Sequence, residues 1–132
     1  MSPIDVTCAI ILKEDKILVV QRSEAMRLPL KWEFPGGKVN PDESEEDCIL
    51  RELREELNIN VTIKGRLLSN VHDYGTFSIR LIPFVVEYVS GEVALTEHRA
   101  VAEVSKEDLG ELDFAAADLP VLEEFVLRYS SV

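Results

Sequence analysis

Three glutamates, Glu52, Glu55 and Glu56, stand at i, i+3 and i+4 in the run Arg51-Glu52-Leu53-Arg54-Glu55-Glu56-Leu57-Asn58-Ile59. On a helix of 3.6 residues per turn they fall within an arc of about 100° and along roughly 6 Å of axis. Like charges so placed repel, at a cost of about 0.2–0.5 kcal/mol per pair. A hard divalent cation, which takes oxygen ligands, would relieve that repulsion. A solvated acidic face with Arg51 and Arg54 as local counter-charges accounts for the same pattern, so the helix alone leaves both readings open. Ahead of it, Gly36 and Gly37 let backbone approach a ligand closely, and Pro35 restricts Phe34 to an extended form.

The rest of the chain must hold these groups in place. Ser44 is positioned to cap the helix, with Asp47 three residues on as its partner in a capping box. Cys48, Ile49, Leu53 and Leu57 form the apolar side that faces a sheet. Val6–Leu12 reads as a buried strand, turned at Lys13–Lys16 into a second strand, Ile17–Gln21, with Arg22 at its end. Residues 61–72 read as β structure, Asp73-Tyr74-Gly75 as a turn, and 76–89 as a long strand closed by Gly91. The stretch 93–104 is a loop entering a strand, 105–109 a short helical turn, and a last helix runs to about Tyr129. Asp118, just before Leu119-Pro120, is positioned as its N-cap. Trp32, Phe34, Tyr74 and Phe77 are expected to pack, and the two histidines, His72 and His98, to be structural.

Bulk properties exclude several classes. At 132 residues, with 46% hydrophobic content, a single domain spanning 1–132 is expected. The net charge of −11 argues against tracking along polymeric nucleic acid, which needs a basic face. There is no apolar run of about 18 residues that could span a membrane, and the first residues lack the charged and apolar regions of a signal peptide. Cys8 and Cys48 have no metal-type spacing, so reduced thiols in a cytoplasmic setting are expected.

Gly37, five residues, Glu43, seven residues, and then Arg-Glu-Leu-x-Glu-Glu-x-Asn-Ile resembles the signature of the Nudix hydrolases. The family carries glycine where this chain has Asn58. That site follows the helix, where a left-handed residue is usual and asparagine is the best substitute for glycine. The string Trp32-Glu33-Phe34-Pro35-Gly36-Gly37-Lys38 and the context around Asp118 and Pro120 are similar to MutT-like nucleoside triphosphate pyrophosphohydrolases. The Glu97-His98 pair ahead of a strand is similar to the CTP pyrophosphohydrolase branch.

The resemblance implies an α/β protein with the Nudix fold, an α/β/α sandwich around a central mixed β-sheet. It implies Mg²⁺, with Mn²⁺ as a possible substitute, held by Glu52, Glu55, Glu56, Glu97 and the Gly36 carbonyl. Arg22 and Lys38 would contact substrate phosphates, and Asp118 would read the nucleobase edge. Gly37, Glu43 and Arg51 would support the site, and Glu33 lies where the family can use an extra acidic residue. The general base would be Glu52 or Glu97; the sequence does not decide between them. The implied reaction is hydrolysis of a nucleoside triphosphate, a small-molecule partner, to the monophosphate and pyrophosphate, by a monomer or homodimer. An ionised Asp118 only accepts hydrogen bonds, which suits the exocyclic amino group of CTP, dCTP or a modified cytosine nucleotide. A protonated Asp118 would also suit 8-oxo-dGTP and a nucleotide-pool sanitising role. A Nudix module that senses a nucleotide without cleaving it would have no need of the intact set of acids.

Overall fold

The computed structural model describes residues 2–129. In chain order its elements are β1 (Ile4–Lys13), β2 (Lys16–Gln21), β3 (Trp32–Glu33), β4 (Gly36–Lys38), α1 (Glu45–Leu57), β5 (Asn60–Arg66), β6 (Asn70–Asp73), β7 (Ser78–Ser90), β8 (Ala100–Val104) and α2 (Leu119–Arg128). Short 3-10 turns at Lys106–Glu111 and Ala116–Asp118 precede α2.

Among the described residues the strands form one eight-stranded mixed sheet with β3-β2-β1-β7-β5 as its path. β4 pairs with β1, β6 with β7 and β8 with β2. The β1–β7 pair is parallel and the other pairs are antiparallel. Central strands buried on both faces need near-continuous apolar sequence, which Cys8-Ala9-Ile10-Ile11, Ile17-Leu18-Val19-Val20 and the middle of β7 supply.

The period of two along these strands divides the core. Ala9, Ile11, Leu18, Val20, Ile82, Phe84 and Val86 meet Ile49, Leu53 and Leu57 of α1 on one face. Cys8, Ile10, Ile17, Val19, Leu81 and Val85 meet Val121 and Phe125 of α2 on the other. The sheet therefore lies between two helical layers, as the resemblance implies.

Two boundaries differ from expectation. Residues 61–72 are not one β segment: β5 ends at Arg66, and the chain resumes as β6 at Asn70, both pairing with β7. The Leu67 N–H bonds to the Pro83 carbonyl at 3.0 Å between them, so β7 is long enough to carry two short partners end to end. Asp118 does not cap α2 either; it makes no side-chain cap bond there and its carboxylate is engaged elsewhere. Ser44 does cap α1, accepting from the Asp47 N–H at 3.0 Å, and only that half of the capping box forms among the described residues.

Asn58 ends α1 with φ of 61°, in the left-handed region, and its N–H bonds back to Arg54. Its side chain donates to the Glu92 carbonyl at 3.1 Å, and the Ala94 N–H donates to the Leu57 carbonyl at 3.0 Å. The end of α1 thus fastens the segment that leads to Glu97 and His98. Left-handed backbone costs a residue with a Cβ about 1–2 kcal/mol, least for asparagine and nothing for glycine. Asn58→Ala should therefore lower Tm by several degrees, while Asn58→Gly stays close to the parent. Equal losses in the two variants would mean that the bond to Glu92, and not the backbone conformation, sets the requirement.

Candidate active site

Arg51 sits within a group of acids and partners three of them. Its Nε and Nη2 donate to Glu43 at 2.6 and 2.9 Å, and its Nη1 donates to Glu52 at 2.7 Å and Glu55 at 2.9 Å. Nη2 also donates to the Lys38 carbonyl at 3.2 Å, which ties the helix to the 36–43 loop. The guanidinium first, and the Asn40 N–H second, lower the Glu43 carboxyl to a pKa of about 2. Glu43 and Arg51 are thus joined where the loop meets the helix.

Close backbone approach requires glycine at Gly36, and Gly37 sits against a side-chain carboxylate. A Cβ on Gly36 would overlap the Thr7 carbonyl across the β1–β4 ladder, and one on Gly37 would overlap the Glu52 carboxylate. The Thr7 hydroxyl donates to the Gly37 carbonyl at 3.2 Å, which fixes the loop from below.

Glu56 is in a different state from its neighbours. Its carboxylate is largely buried, with 18% of the side chain exposed, and Oε2 has no hydrogen-bond partner. Burial, then the adjacent Glu52 carboxylate, then the charges of Glu33 and Glu97 push its pKa up to about 9. His98 Nδ1, also buried and without a partner, lies 3.8 Å from Glu56 Oε2.

A cavity of about 640 Å³ opens beside Glu56, a size suited to a nucleotide. Arg22, Gly36, Lys38, Glu56, Glu97 and Asp118 all line it. Glu52 and Glu55 do not: Arg51 holds the first beneath Gly37 and the second on the surface, with 61% of its side chain exposed. Among the described residues no three His, Cys, Asp or Glu side chains converge as a ready metal cage. The donor set nevertheless fits a hard cation. A carboxylate oxygen without a hydrogen-bond partner, beside Glu52, Glu33 and Glu97, is the kind of hard oxygen ligand such an ion takes.

Arg22, at the end of β2, donates from Nε to the Arg27 carbonyl at 2.5 Å and from Nη1 to Glu33 at 2.9 Å. Asp118 is 5% exposed and accepts from the Phe34 N–H at 2.8 Å. Burial, then the charge of Glu33, raise its pKa well above the usual carboxylate range, against the opposing pull of that N–H and of Arg22.

Of the aromatic groups expected to pack, Tyr74 does so against the α2-side core, and it and Phe77 also border the cavity. Trp32 packs against the α2-side core, as expected. Tyr74 and Phe77 stack with ring centroids 5.1 Å apart. The Arg27 guanidinium lies 4.5 Å from the Phe77 ring centre. The Tyr74 hydroxyl accepts from the Ala117 N–H at 2.8 Å and so braces the turn that carries Asp118. Aromatic residues flanking a glycine turn were the available signal, and a packing pattern looks the same in one dimension. His98 is the other residue that sequence reasoning set aside; its signal was adjacency to Glu97.

The comparisons with known proteins agree with this geometry. The NUDIX domain model matches residues 1–125. A CTP pyrophosphohydrolase from Escherichia coli is 38% identical over 126 residues, covering 96% of this chain and 93% of that protein. A putative 8-oxo-dGTP diphosphatase 2 from Mycobacterium tuberculosis is 33% identical over 116 residues, covering 86% of this chain and 81% of its own length. The crystal structure of a MutT protein from Methanosarcina mazei superposes with a TM-score of 0.81 at 33% identity, covering 99% of this chain and 98% of that one. The chain belongs to the NUDIX domain family and is a MutT-like Nudix hydrolase.

Proposed function

We propose that this hydrolase converts a nucleoside triphosphate to the monophosphate and pyrophosphate, that it uses Mg²⁺, and that its preferred substrate is CTP, dCTP or a modified cytosine nucleotide. The observation that carries the reading is one nucleotide-sized cavity lined both by a buried acid, Asp118, and by Glu56, Glu97, Arg22 and Lys38. The likeness to a CTP pyrophosphohydrolase over nearly the whole chain supports the same substrate class.

Asp118 is raised above its usual range, and a protonated carboxyl both donates and accepts. Cytosine offers an amino donor beside a ring-nitrogen acceptor, which such a group complements in full. The direction of the shift is what favours this over the simpler expectation of an ionised acceptor. The edge of 8-oxoguanine also sets a donor beside an acceptor, so the protonated acid favours 8-oxo-dGTP as the second reading, in keeping with the 8-oxo-dGTP diphosphatase relatives.

Glu56, with Glu52, Glu55, Glu97 and the Gly36 carbonyl, would hold the cation. When bound, that ion neutralises phosphate charge and acidifies the attacking water. Arg22 and Lys38 would grip the phosphates and oppose the charge that develops as the anhydride breaks. Glu97 reaches the cavity without an arginine on its carboxylate, whereas Glu52 is held by Arg51. That difference favours Glu97 as the acceptor of the water's proton.

The Glu56 shift sets a sign. Its folded pKa of about 9 lies above the ordinary 4.5, so the metal-free fold binds the extra proton and loses stability as pH rises from about 4.5 through about 9. Glu56→Gln should raise Tm of the metal-free protein at pH 8 by about 2 to 5 °C. It should also abolish the stabilisation by Mg²⁺ and lower kcat/KM at least about 100-fold. A variant that stays active, with its Mg²⁺ response intact, would remove Glu56 from the ligand set.

Pyrophosphate release with Mg²⁺ across CTP, dCTP, 5-methyl-dCTP, 8-oxo-dGTP and the ordinary triphosphates tests the substrate. Cytosine nucleotides should lead; preference for 8-oxo-dGTP would establish the second reading. Asp118→Ala should lower kcat/KM for the preferred base roughly 10- to 100-fold. In the parent, KM for that base should rise with pH as the Asp118 proton is lost, while Asp118→Asn, a permanent donor and acceptor, should hold it flat. A parent KM independent of pH would return the base contact to an ionised carboxylate.

A further inference from the structure

Glu33 joins two groups that the proposed reaction uses separately. Its Oε1 accepts from Arg22 Nη1 at 2.9 Å, and its Oε2 lies 2.8 Å from His98 Nε2. A carboxylate can only accept, so Nε2 donates in that contact and the ring turns its Nδ1 edge the other way. That edge lies 3.8 Å from Glu56 Oε2. The His98 side chain is only 4% exposed, and neither Nδ1 nor Glu56 Oε2 has a partner. Two buried polar atoms left unpaired and facing one another are costly to a fold, and such exceptions call for a functional account.

Both anchors of this chain are rigid. Glu33 lies on β3, in register with Val20 of β2. The segment bearing His98 is fastened at one end to the terminus of α1 through Glu92 and Ala94. At the other end the Arg99 N–H donates to the Gln21 carbonyl at 2.9 Å. The imidazole is thus a fixed wall against which the Glu56 carboxylate rests.

We propose that His98 is a positioning residue: fastened by Glu33, its ring packs against the Glu56 carboxylate without a hydrogen bond and limits it to the orientation that receives the cation, and Glu33 sets the Arg22 guanidinium from the same side chain. The inference rests on the reading in which Glu56 binds a divalent ion and Arg22 the phosphates. Partners that orient a ligating group typically govern metal affinity by about 10- to 100-fold.

The test is a Mn²⁺ titration of the full chain, reading free Mn²⁺ by electron paramagnetic resonance, with thermal midpoints and the kcat and KM for CTP measured alongside. His98→Ala should weaken Mn²⁺ binding about tenfold or more, with KM within about twofold of the parent. In His98→Gln the side-chain amide reproduces the bond to Glu33 but leaves no atom at the Nδ1 position, so Mn²⁺ affinity should still fall while KM holds. Glu33→Gln loosens both ends and should weaken Mn²⁺ binding and raise KM together. Should His98→Ala not fold, His98→Gln carries the comparison. Mn²⁺ affinities equal to the parent in folded His98→Gln and Glu33→Gln would overturn the proposal, as would losses that only track lowered thermal midpoints. A parent that neither binds Mn²⁺ nor cleaves any nucleotide would sink the functional reading and this inference with it. A competent parent with indifferent variants would sink the inference alone.

Discussion

Like charge on one face of α1 is the constraint from which the site follows. Three glutamates share that face with a single arginine placed to answer them, and Arg51 is already shared with Glu43. The guanidinium fork satisfies Glu43, Glu52 and Glu55 because its donors are planar and fixed. Glu56 is left over, buried and without a hydrogen bond on Oε2. The same fork reaches the Lys38 carbonyl and so docks the glycine loop against the helix. One side chain therefore orders the loop, restrains two acids of the helix and leaves the third without a partner on Oε2.

The sheet supplies the rigidity this arrangement requires. Its central parallel pair, β1 and β7, is buried by α1 on one face and α2 on the other, so neither helix can shift without opening a core cluster. Side chains that line the cavity come from widely separated segments: Arg22 after β2, Lys38 on β4, Glu56 on α1, Glu97 before β8 and Asp118 before α2. Contacts elsewhere in the fold fix some of these segments. The Phe34 N–H holds Asp118, Tyr74 holds the turn beside it, and the end of α1 holds the Glu97 segment. Groups so fixed lose little freedom when substrate arrives, which is how a site gains from preorganisation.

Burial acts on two acids of the cavity in the same direction with different consequences. Glu56 and Asp118 are both pushed towards the protonated form. At Glu56 the neighbouring acids make a cation the natural relief. At Asp118 the backbone N–H of Phe34 and the nearby Arg22 temper the shift. In the proposed reading these two environments on one wall serve metal binding at one acid and base recognition at the other.

The sequence by itself determined what depends on local spacing. Helix periodicity put Glu52, Glu55 and Glu56 on one face, and Asn58 marked the left-handed end, because both follow from backbone geometry within a few residues. The buried strands and the apolar face of α1 were legible for the same reason. Tertiary structure alone decided which acid was left without a partner, since that depends on where Arg51 could reach. It also decided that Asp118 binds Phe34 instead of capping α2, that Tyr74 and Phe77 line a cavity, and that β7 carries two short strands in place of one. The link from Arg22 through Glu33 to His98 and Glu56 spans residues 22 to 98. No periodicity encodes it; it exists because β3 pairs with β2 and the loop before β8 returns over the end of α1.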